Sequence, residues 1–407
     1  MSEETETEEP VILPRLGLRE ALGSVINTED ELARACAEIA LGEGPIGLDA
    51  ERASGYRYSQ RAYLIQLRRH GAGTYLIDPT PFEDLSELNE VIGSQEWILH
   101  AATQDLVCLR DEGLRPTSLF DTELAGRLLN LPRVGLAALV EHYLGLSMAK
   151  EHSAADWSTR PLPESWLEYA ALDVEVLAEL REAVRADLEA SGKMSWADEE
   201  FEALLDFAGP APRKDPWRRT SGIHKVRDRR TLARVRELWV VRDELAQDLD
   251  VSPGRVLRDQ SLLSLALDHP TGVSAIKRHE SMRNSRARKH LESWASALEA
   301  ADLIDDSELP PSSLRQDGPP PPRAWADKSP EAATRLLVAK EKVSSIAEDH
   351  NLPTENLVSP GIVRALAWEP PASISVEAVA GALRTMGARN WQVNLTAESL
   401  TEALDAS

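Results

Sequence analysis

Ile46-Gly47-Leu48-Asp49-Ala50-Glu51 is an apolar run that ends in two carboxylates. Its composition predicts a buried β-strand. Side chains two residues apart on a strand point to the same face, so we expect Asp49 and Glu51 to lie side by side. Acids at the end of a strand can also serve only to cap neighbouring amides, and this pair alone leaves both interpretations open.

Two more acidic segments lie further along the chain. Asp105 follows the strand-like run Trp97–Ala102, and the pattern predicts a helix with Thr103 as its N-cap. The helix dipole alone would favour an acid in that first turn. Tyr169 and Asp173 are four residues apart in a helical stretch, so they should share one helix face, either as part of a site or as a packing pair.

Together the three segments supply four carboxylates and one phenol that could converge: Asp49, Glu51, Asp105, Asp173 and Tyr169. Clustered acids are electrostatically unfavourable unless cations lie among them. Oxygen ligands suit Mg²⁺ or Mn²⁺, and two such ions can activate a water and stabilise a leaving 3′ oxygen in phosphodiester hydrolysis. A phenol could orient that water or help deprotonate it. The sequence lacks the motifs of zinc sites, Walker-type NTPases and α/β-hydrolases.

The composition is that of a globular protein with two or three domains: 407 residues, 42% hydrophobic and 28% charged. The two cysteines, Cys36 and Cys108, exclude a disulfide framework and indicate a reducing compartment. The acidic N-terminus does not resemble a signal peptide, and no run of about 20 apolar residues occurs. We therefore expect a cytoplasmic protein.

The net charge of −23 argues against a nucleic-acid partner, but the charge is unevenly distributed. Between Arg213 and Arg236 there are ten Lys/Arg residues and two Asp. A second stretch, Lys277–Lys289, has six Lys/Arg against Glu280. These stretches could hold a polyanion, or they could be solvated helix faces with acidic counterparts elsewhere.

The first part of the chain predicts an α/β domain. Thr28-Glu29-Asp30-Glu31 fits a capping box that opens a helix. Turn-rich segments separate the strand candidates, which are residues 46–51, 62–68, 74–78 and 97–102. Three strands in close succession, then alternating strand and helix, indicate a mixed sheet covered by helices. Beyond residue 123 the pattern is almost entirely helical, with one long helix expected at 164–190.

Proline-rich segments and a repeat organise the remainder. Gly209–Pro212 marks one boundary, and Leu309–Pro322 predicts a stiff, extended linker. The helical segments flanking that linker share their apolar spacing. Leu245-Ala246 corresponds to Ile346-Ala347 at an offset of 101 residues, and the offset is 100 by residue 262. Spacing held over this length predicts a duplicated helical bundle.

The acidic segments resemble the three motifs of the DEDD exonucleases. Gly47–Glu51 is similar to the first, Leu99–Leu106 to the second and Tyr169–Val174 to the third in its tyrosine form. Between the second and third, Phe120–Ala125 and Asp156–Leu162 resemble ribonuclease D in particular. The family resemblance implies a metal-dependent 3′→5′ exoribonuclease acting on RNA with 3′ tails, tRNA precursors above all.

The duplicated helical segments resemble the HRDC domain, closely over Leu238–Pro270 and more loosely over Leu336–Pro370. The resemblance thus implies an α/β RNase H-like exonuclease domain, with a mixed sheet flanked by helices, followed by two all-α HRDC-like helical bundles. The implied boundaries are 1–208 for the exonuclease domain with its acidic tail at 1–10, 216–300 for the HRDC domain, 301–325 for the Pro-rich linker and 326–402 for the second HRDC-like domain.

The resemblance also implies a set of site residues. Two divalent cations, Mg²⁺ or Mn²⁺, would be held by four ligands, and a tyrosine would position the water: Asp49, Glu51, Asp105, Asp173 and Tyr169.

Candidate RNA contacts lie around these motifs. Gln66 and His100 could contact the terminal nucleotide, or they could pack within the sheet. Lys150 and Arg160 lie near the third motif and could contact phosphate or base. Arg160 could instead pair with Asp156.

Arg218 and Arg219 lie beside Trp217 and combine charge with a stacking surface, as in single-strand binders, or they belong to a domain linker. Two alternatives to an exoribonuclease stay open. The same metal chemistry fits a 3′→5′ DNA exonuclease, because discrimination depends on contacts to the 2′ hydroxyl that the sequence does not reveal. A non-catalytic adaptor for nucleic acid or protein is the other.

Overall fold

The structure is a computed structural model that describes residues 13–148, 154–283, 286–313 and 318–405. The acidic tail at 1–10 and Lys150 lie outside the described residues, as does part of the Pro-rich linker. Within the described ranges, no helix is long and apolar enough to cross a bilayer.

A five-stranded mixed sheet is the centre of the first domain among the described residues. Its strands are β1 (Glu43–Arg52), β2 (Ala62–His70), β3 (Gly73–Ile77), β4 (Glu96–Leu99) and β5 (Ser118–Asp121). Their order is β3-β2-β1-β4-β5, with β1–β2 and β2–β3 antiparallel and β1–β4 and β4–β5 parallel. The predicted mixed sheet is confirmed, with β1 in the middle. β5 was not among the predicted strands because its four residues lead directly into a helix.

Helices pack against this sheet and against one another. They are α1 (Glu29–Ala40), α2 (Ser86–Ile92), α3 (Leu106–Asp111), α4 (Thr122–Leu128), α5 (Leu136–Leu144), α6 (Glu164–Glu175), α7 (Leu177–Ala190) and α8 (Met194–Leu205). The capping box at α1 is present, since Thr28 Oγ1 accepts from the Glu31 amide and the Glu31 carboxylate accepts from the Thr28 hydroxyl. The buried face of α1 includes Leu32 and Ile39.

The single long helix expected at 164–190 is wrong, because the chain breaks at Val176 into α6 and α7. Val176 has φ −120° and ψ 9°, outside helical geometry, and is fully buried. At this point β1 lies very close to the helices. A Cβ built on Gly47 would lie 3.2 Å from Leu177 Cβ and 3.4 Å from the carbonyl oxygen of Val174. Tertiary packing therefore overrides the helical pattern of the sequence.

The helix start expected at Thr103 is also corrected. Ala102–Gln104 forms a 3₁₀ turn, and α3 begins at Leu106 with Asp105 in the N-cap position. Ala101, just before the turn, has φ 59°, which is an uncommon conformation for a non-glycine residue. The reversal is tighter than a simple helix start, and it turns the backbone so that Asp105 becomes a buried residue.

The remainder of the described chain is helical. The first bundle is α9 (Arg229–Asp248), α10 (Pro253–Val256), α11 (Asp259–Asp268), α12 (Gly272–Arg278) and α13 (Leu291–Leu303). The second bundle is α14 (Trp325–Lys328), α15 (Pro330–Asp349), α16 (Thr354–Leu357), α17 (Pro360–Trp368), α18 (Val376–Thr385) and α19 (Asn390–Asp405). Short 3₁₀ helices occur at Ala102–Gln104, Pro216–Arg219, Ile223–Lys225, Glu280–Met282, Arg286–His290 and Pro322–Ala324.

The two bundles repeat in structure as they do in sequence. α9 and α15 are both 20 residues long and begin 101 residues apart, at Arg229 and Pro330. α10 and α16 begin at the same offset, and so do α11 and α17. Each bundle has a fully buried tryptophan in its core, Trp294 in the first and Trp325 in the second. The predicted architecture, a mixed sheet with helices followed by helical bundles, is confirmed.

Candidate metal centre

The central strand β1 presents the first two acids. Asp49 and Glu51 lie two residues apart on β1, opposite Gln66 and Leu64 of the antiparallel strand β2. On its other side β1 pairs in parallel with β4, which ends at Leu99. The turn that follows β4 therefore begins near the end of β1 that carries the two acids, and this turn leads to Asp105.

The helix α6 supplies the remaining two groups. Tyr169 and Asp173 lie on one face of α6, and the Tyr169 phenol hydrogen-bonds the Asp173 carboxylate. Ala170 and Ala171, between them in sequence, are fully buried against the sheet side of the domain. Small side chains at these positions let α6 approach the sheet closely, which brings Asp173 to β1.

Three carboxylates converge in this arrangement. One carboxylate oxygen from each of Asp49, Glu51 and Asp173 lies within 4.8 Å of the other two. These residues line a cavity of about 370 Å³, together with Tyr169 and Asp105. Asp105 is only 4% exposed, and its carboxylate lies outside the 4.8 Å group. The structure thus places all five predicted site residues on one cavity and brings three of the carboxylates into direct proximity.

In the cavity, burial and mutual repulsion of the acids outweigh the attraction of Arg52, an arginine that lines it. Burial and the repulsion of neighbouring acids raise the pKa of Glu51 to about 9. Burial, with repulsion from Asp49, likewise holds the pKa values of Asp105 and Asp173 well above the ordinary range. Burial also raises the pKa of Asp49. Divalent cations would reverse this preference, because they stabilise the ionised carboxylates that bind them.

Burial and the same neighbouring acids keep the Tyr169 phenol protonated. Burial and the adjacent charges of Asp173 and Glu51 raise the pKa of its phenol above the ordinary value of 10. A phenol of raised pKa is a hydrogen-bond donor at neutral pH rather than a base. Before any cation binds, the phenol is therefore protonated, and its proton is donated to the Asp173 carboxylate.

Gln66 supports Asp49 from the neighbouring strand. Its side chain is fully buried, and Nε2 donates to Asp49 Oδ2 at 2.8 Å. His100 lines the cavity, and its Nδ1 lies 2.9 Å from Thr122 Oγ1. Burial lowers the pKa of His100 to about 4, so the ring is neutral at physiological pH.

Asp121 is a residue that the sequence did not single out. Its carboxylate accepts hydrogen bonds from the amides of Ala101 and Ala102 at 3.0 and 2.8 Å, and also from the first amides of α4. Asp121 therefore fixes the turn at Ala101 and Ala102, which positions Asp105 at the cavity. The available signal was an Asp at the start of a helix, which predicts an N-cap but not this second role. Arg52 also lines the cavity and was not predicted.

Arg160 does not form the alternative ion pair with Asp156 that the sequence left open. It pairs with Asp78 at the end of β3, with Nη2 2.8 Å from Oδ1, and its guanidinium also donates to the carbonyls of Trp157 and Tyr63. Asp156 is hydrogen-bonded by Ser158 instead. Arg160 thus clamps the segment before α6 onto the sheet.

The other two candidate RNA contacts lie in the 3₁₀ helix Pro216–Arg219, apart from the residues that line the cavity. Arg218 stacks on the ring of Trp217 at 4.3 Å and pairs with Asp215, and its Nη2 donates to the carbonyl of Pro311 at 2.8 Å. Arg219 is exposed.

Three family models match the chain. Residues 24–189 match the 3′–5′ exonuclease model, 231–298 the HRDC domain, and 318–404 the 3′ to 5′ exonuclease C-terminal domain. Among curated relatives, ribonuclease D of Gluconacetobacter diazotrophicus is 30% identical over 333 residues, covering 80% of this chain and 81% of that protein. Ribonuclease D of Escherichia coli is 28% identical over 393 residues, covering 93% and 98%.

Solved structures are also similar to this chain over nearly its whole length. A protein from Bifidobacterium adolescentis superposes with a TM-score of 0.87 at 39% identity, covering 97% of this chain and 100% of that chain. Escherichia coli RNase D, described as an exoribonuclease involved in structured RNA processing, superposes with a TM-score of 0.67 at 26% identity over 95% and 99%. The chain belongs to the ribonuclease D family of 3′–5′ exoribonucleases.

Proposed function

We propose that this protein removes nucleotides from RNA 3′ ends by metal-dependent hydrolysis, with Asp49, Glu51, Asp105 and Asp173 as metal ligands and Tyr169 as the group that positions the attacking water. The observation that carries the assignment is that carboxylate oxygens of Asp49, Glu51 and Asp173 lie within 4.8 Å of one another. The Tyr169 phenol hydrogen-bonds the Asp173 carboxylate.

The donor set fits two divalent cations, Mg²⁺ or Mn²⁺. All four ligands offer carboxylate oxygen, which these hard ions prefer, and their raised pKa values mark a cluster whose burial and mutual repulsion exceed the attraction of Arg52. When bound, the cations stabilise the charge that develops on the phosphate and favour ionisation of a water. Gln66 holds Asp49 in place, and Tyr169 hydrogen-bonds and orients the water against the scissile phosphate.

We infer that the substrates are RNAs with single-stranded 3′ tails, tRNA precursors among them, and that the protein works in the cytoplasm. The relative from Escherichia coli is described as acting in structured RNA processing. Both cysteines of this chain are free and buried, as suits a reducing compartment. We further propose the division into an exonuclease domain (1–208), an HRDC domain (216–300), a linker (301–325) and a second HRDC-like domain (326–402).

The test uses Asp49→Asn and Asp173→Asn in the full chain with a 3′-extended tRNA precursor. We expect each substitution to lower the rate of mononucleotide release by at least about 1,000-fold in Mg²⁺ or Mn²⁺, while binding of the RNA in chelator is retained. Tyr169→Phe should be slowed less than either. Trimming by either Asn variant at the wild-type rate would contradict the ligand assignment. Equal degradation of a matched DNA strand would contradict the RNA preference.

A further inference from the structure

His100 begins the turn that follows β4. The strands β4 and β5 are parallel, with Leu99 opposite Asp121, so His100 and Thr122 leave the sheet side by side. The Thr122 side chain is fully buried, and its Oγ1 lies 2.9 Å from His100 Nδ1. The imidazole ring is thus fixed from the start of α4, while His100 also lines the cavity that holds the four acids.

The contacts of Thr122 decide which ring nitrogen of His100 carries the proton. A threonine hydroxyl has one proton, and that of Thr122 is donated to the carbonyl oxygen of Leu99 at 3.2 Å. The Thr122 oxygen therefore accepts from the N–H at Nδ1 of His100. Burial lowers the pKa of His100 to about 4, so the ring has a single N–H at neutral pH. Nε2 consequently carries no proton and presents a lone pair.

Nε2 of His100 is a hydrogen-bond acceptor that no protein donor uses. Among the described residues no hydrogen bond reaches this atom, and the atom is not enclosed by protein. The ring lies at a cavity whose converging acids suit cations, whereas an uncharged acceptor does not compete for a divalent ion of this kind. Nε2 therefore suits a ligand that brings an O–H or N–H group into the cavity.

The end of an RNA strand offers few such donors. Phosphate oxygens accept hydrogen bonds and do not donate them at neutral pH, so Nε2 does not suit the phosphate backbone. Donors on the base edges differ among the four nucleotides, whereas an enzyme that shortens a strand stepwise meets all four in turn. The ribose hydroxyls are common to all of them, and the 2′-hydroxyl is the one that distinguishes RNA from DNA.

We propose that Nε2 of His100 accepts a hydrogen bond from a ribose 2′-hydroxyl at one of the last two nucleotides of the RNA, and that His100 thereby selects RNA over DNA. The inference rests on the proposed function and supplies the contact behind its RNA preference. A site that binds a hydroxyl rejects a substrate without it, because the polar group of the site is then left unpaired. Thr122 is the positioning residue, since it fixes both the ring and its proton.

The test compares two full-length variants that keep different parts of the histidine. The amide of His100→Asn reaches the position of Nδ1 and keeps the bond to Thr122, whereas the amide of His100→Gln reaches the position of Nε2. The substrates are two single-stranded RNAs of identical sequence, one with ribose throughout and one with 2′-deoxyribose at its last two nucleotides. The measurements are kcat/KM for release of the first nucleotide, and the affinity for each strand in chelator.

For the wild type we expect the all-ribose strand to be favoured about 10–100-fold in kcat/KM, as for a hydroxyl whose loss leaves a buried acceptor unpaired. His100→Asn should bring this ratio close to one, and His100→Gln should retain most of it. An unchanged ratio in His100→Asn would overturn the proposal, even if both strands are trimmed more slowly, because an equal loss marks a purely structural role.

The wild type separates this proposal from the proposed function. Equal trimming of the two strands by the wild type would overturn the role of His100 and leave the exonuclease assignment intact. A wild type that trims neither strand would contradict the proposed function. The ratio of the two affinities in chelator then decides the role of His100: a preference for the ribose end that is lost in His100→Asn supports the contact, and equal affinities overturn it.

Discussion

Gln66 illustrates how a single buried side chain can set a metal site. Its Nε2 holds Asp49, while its Oε1 is buried without a hydrogen-bond partner among the described residues. By holding Oδ2, the Gln66 amide fixes the orientation of the Asp49 carboxylate and leaves Oδ1 available to a cation. The sequence placed Gln66 on the second strand, but it could not tell a support for Asp49 from a nucleotide contact, because cross-strand register decides between them.

Replacing Gln66 with Met should therefore weaken the site without unfolding the domain. We expect the metal concentration for half-maximal trimming to rise about 10–100-fold, with kcat recovering at saturating metal, as is usual when the support of a ligand is removed. A titration of activity against Mn²⁺ checks this. A normal titration curve with a raised KM for RNA would instead favour nucleotide contact by Gln66.

Arg160 provides the pH-dependent prediction at this scale. Burial would raise the pKa of Asp78, but hydrogen bonds from Arg160 and Thr80 outweigh it and hold that pKa below the ordinary 3.8. A depressed pKa means that the clamp stabilises the fold fully above about pH 4 and loses its contribution as pH falls through the native value. Arg160→Gln should therefore cost about 1–2 kcal/mol at pH 7, discounted because Arg160 is one-third exposed.

The measurement is urea unfolding of both proteins across pH 2.5–7. The difference in free energy of unfolding between wild type and Arg160→Gln should be constant near neutrality and shrink below pH 4 to the smaller part that comes from the contacts of Arg160 with backbone carbonyls. Arg160→Lys should recover only part of it, since an ammonium cannot reproduce the two-point contact with Asp78. A difference that persists undiminished at pH 2.5 would mean that the guanidinium acts through its backbone contacts alone.

At the scale of elements, the sequence correctly predicted those features that depend only on residues close to one another in the chain. The capping box placed the start of α1, and four-residue spacing placed Tyr169 and Asp173 on one face of α6. The break at Val176 and the partner of Arg160 could not be predicted in this way. The first arises from the close approach of β1, and the second joins residues 82 positions apart.

Gly47 is the point where β1 meets the break between α6 and α7. A methyl group there would lie 3.2–3.4 Å from Leu177 and Val174, so Gly47→Ala should push α6 outward and move Asp173 away from Asp49. We expect a destabilisation of about 1–3 kcal/mol and a larger fall in kcat than in RNA affinity. Thermal unfolding and single-turnover kinetics measure the two effects.

Gly381→Ala is the matched control for Gly47→Ala. Gly381 lies within α18, and a Cβ there meets no atom within 4 Å. Alanine is the better helix former, so this variant should be neutral or more stable by about 0.5–1 kcal/mol, with normal kinetics. Loss of stability in both variants would show that the effect at Gly47 does not come from the crowded contact.

At the scale of the whole molecule, the duplicated bundles dock on the exonuclease domain through the same turn. Asp250 and Asn351 follow α9 and α15 at an offset of 101 residues, and both have positive φ, 44° and 49°. Asp250 accepts from the amides of Tyr58 and Ser59 at 3.2 and 3.0 Å. Asn351 instead contacts Asn130 and Lys193.

The contacts of the second bundle are of a different kind. Asn351 Oδ1 accepts from Asn130 at 2.8 Å, its backbone carbonyl accepts from Lys193 at 2.9 Å, and the ring of Trp391 stacks on Trp196 at 5.0 Å. Only the first of these depends on the side chain of Asn351. The first bundle, by contrast, is anchored through the Asp250 carboxylate, which also receives the Tyr63 hydroxyl at 3.4 Å.

Glycine at either turn keeps the left-handed backbone and removes only the side chain, so Asp250→Gly and Asn351→Gly form a matched pair. Asp250→Gly should release the first bundle and speed tryptic cleavage after the exposed Arg213 and Lys214 about tenfold, since several hydrogen bonds are lost at once. Asn351→Gly should change that rate by less than about twofold. Similar rates in both variants would mean that the first bundle is held by its other contacts, such as Ser252 to Gly55 at 2.9 Å, and that the carboxylate of Asp250 only shapes the loop after β1.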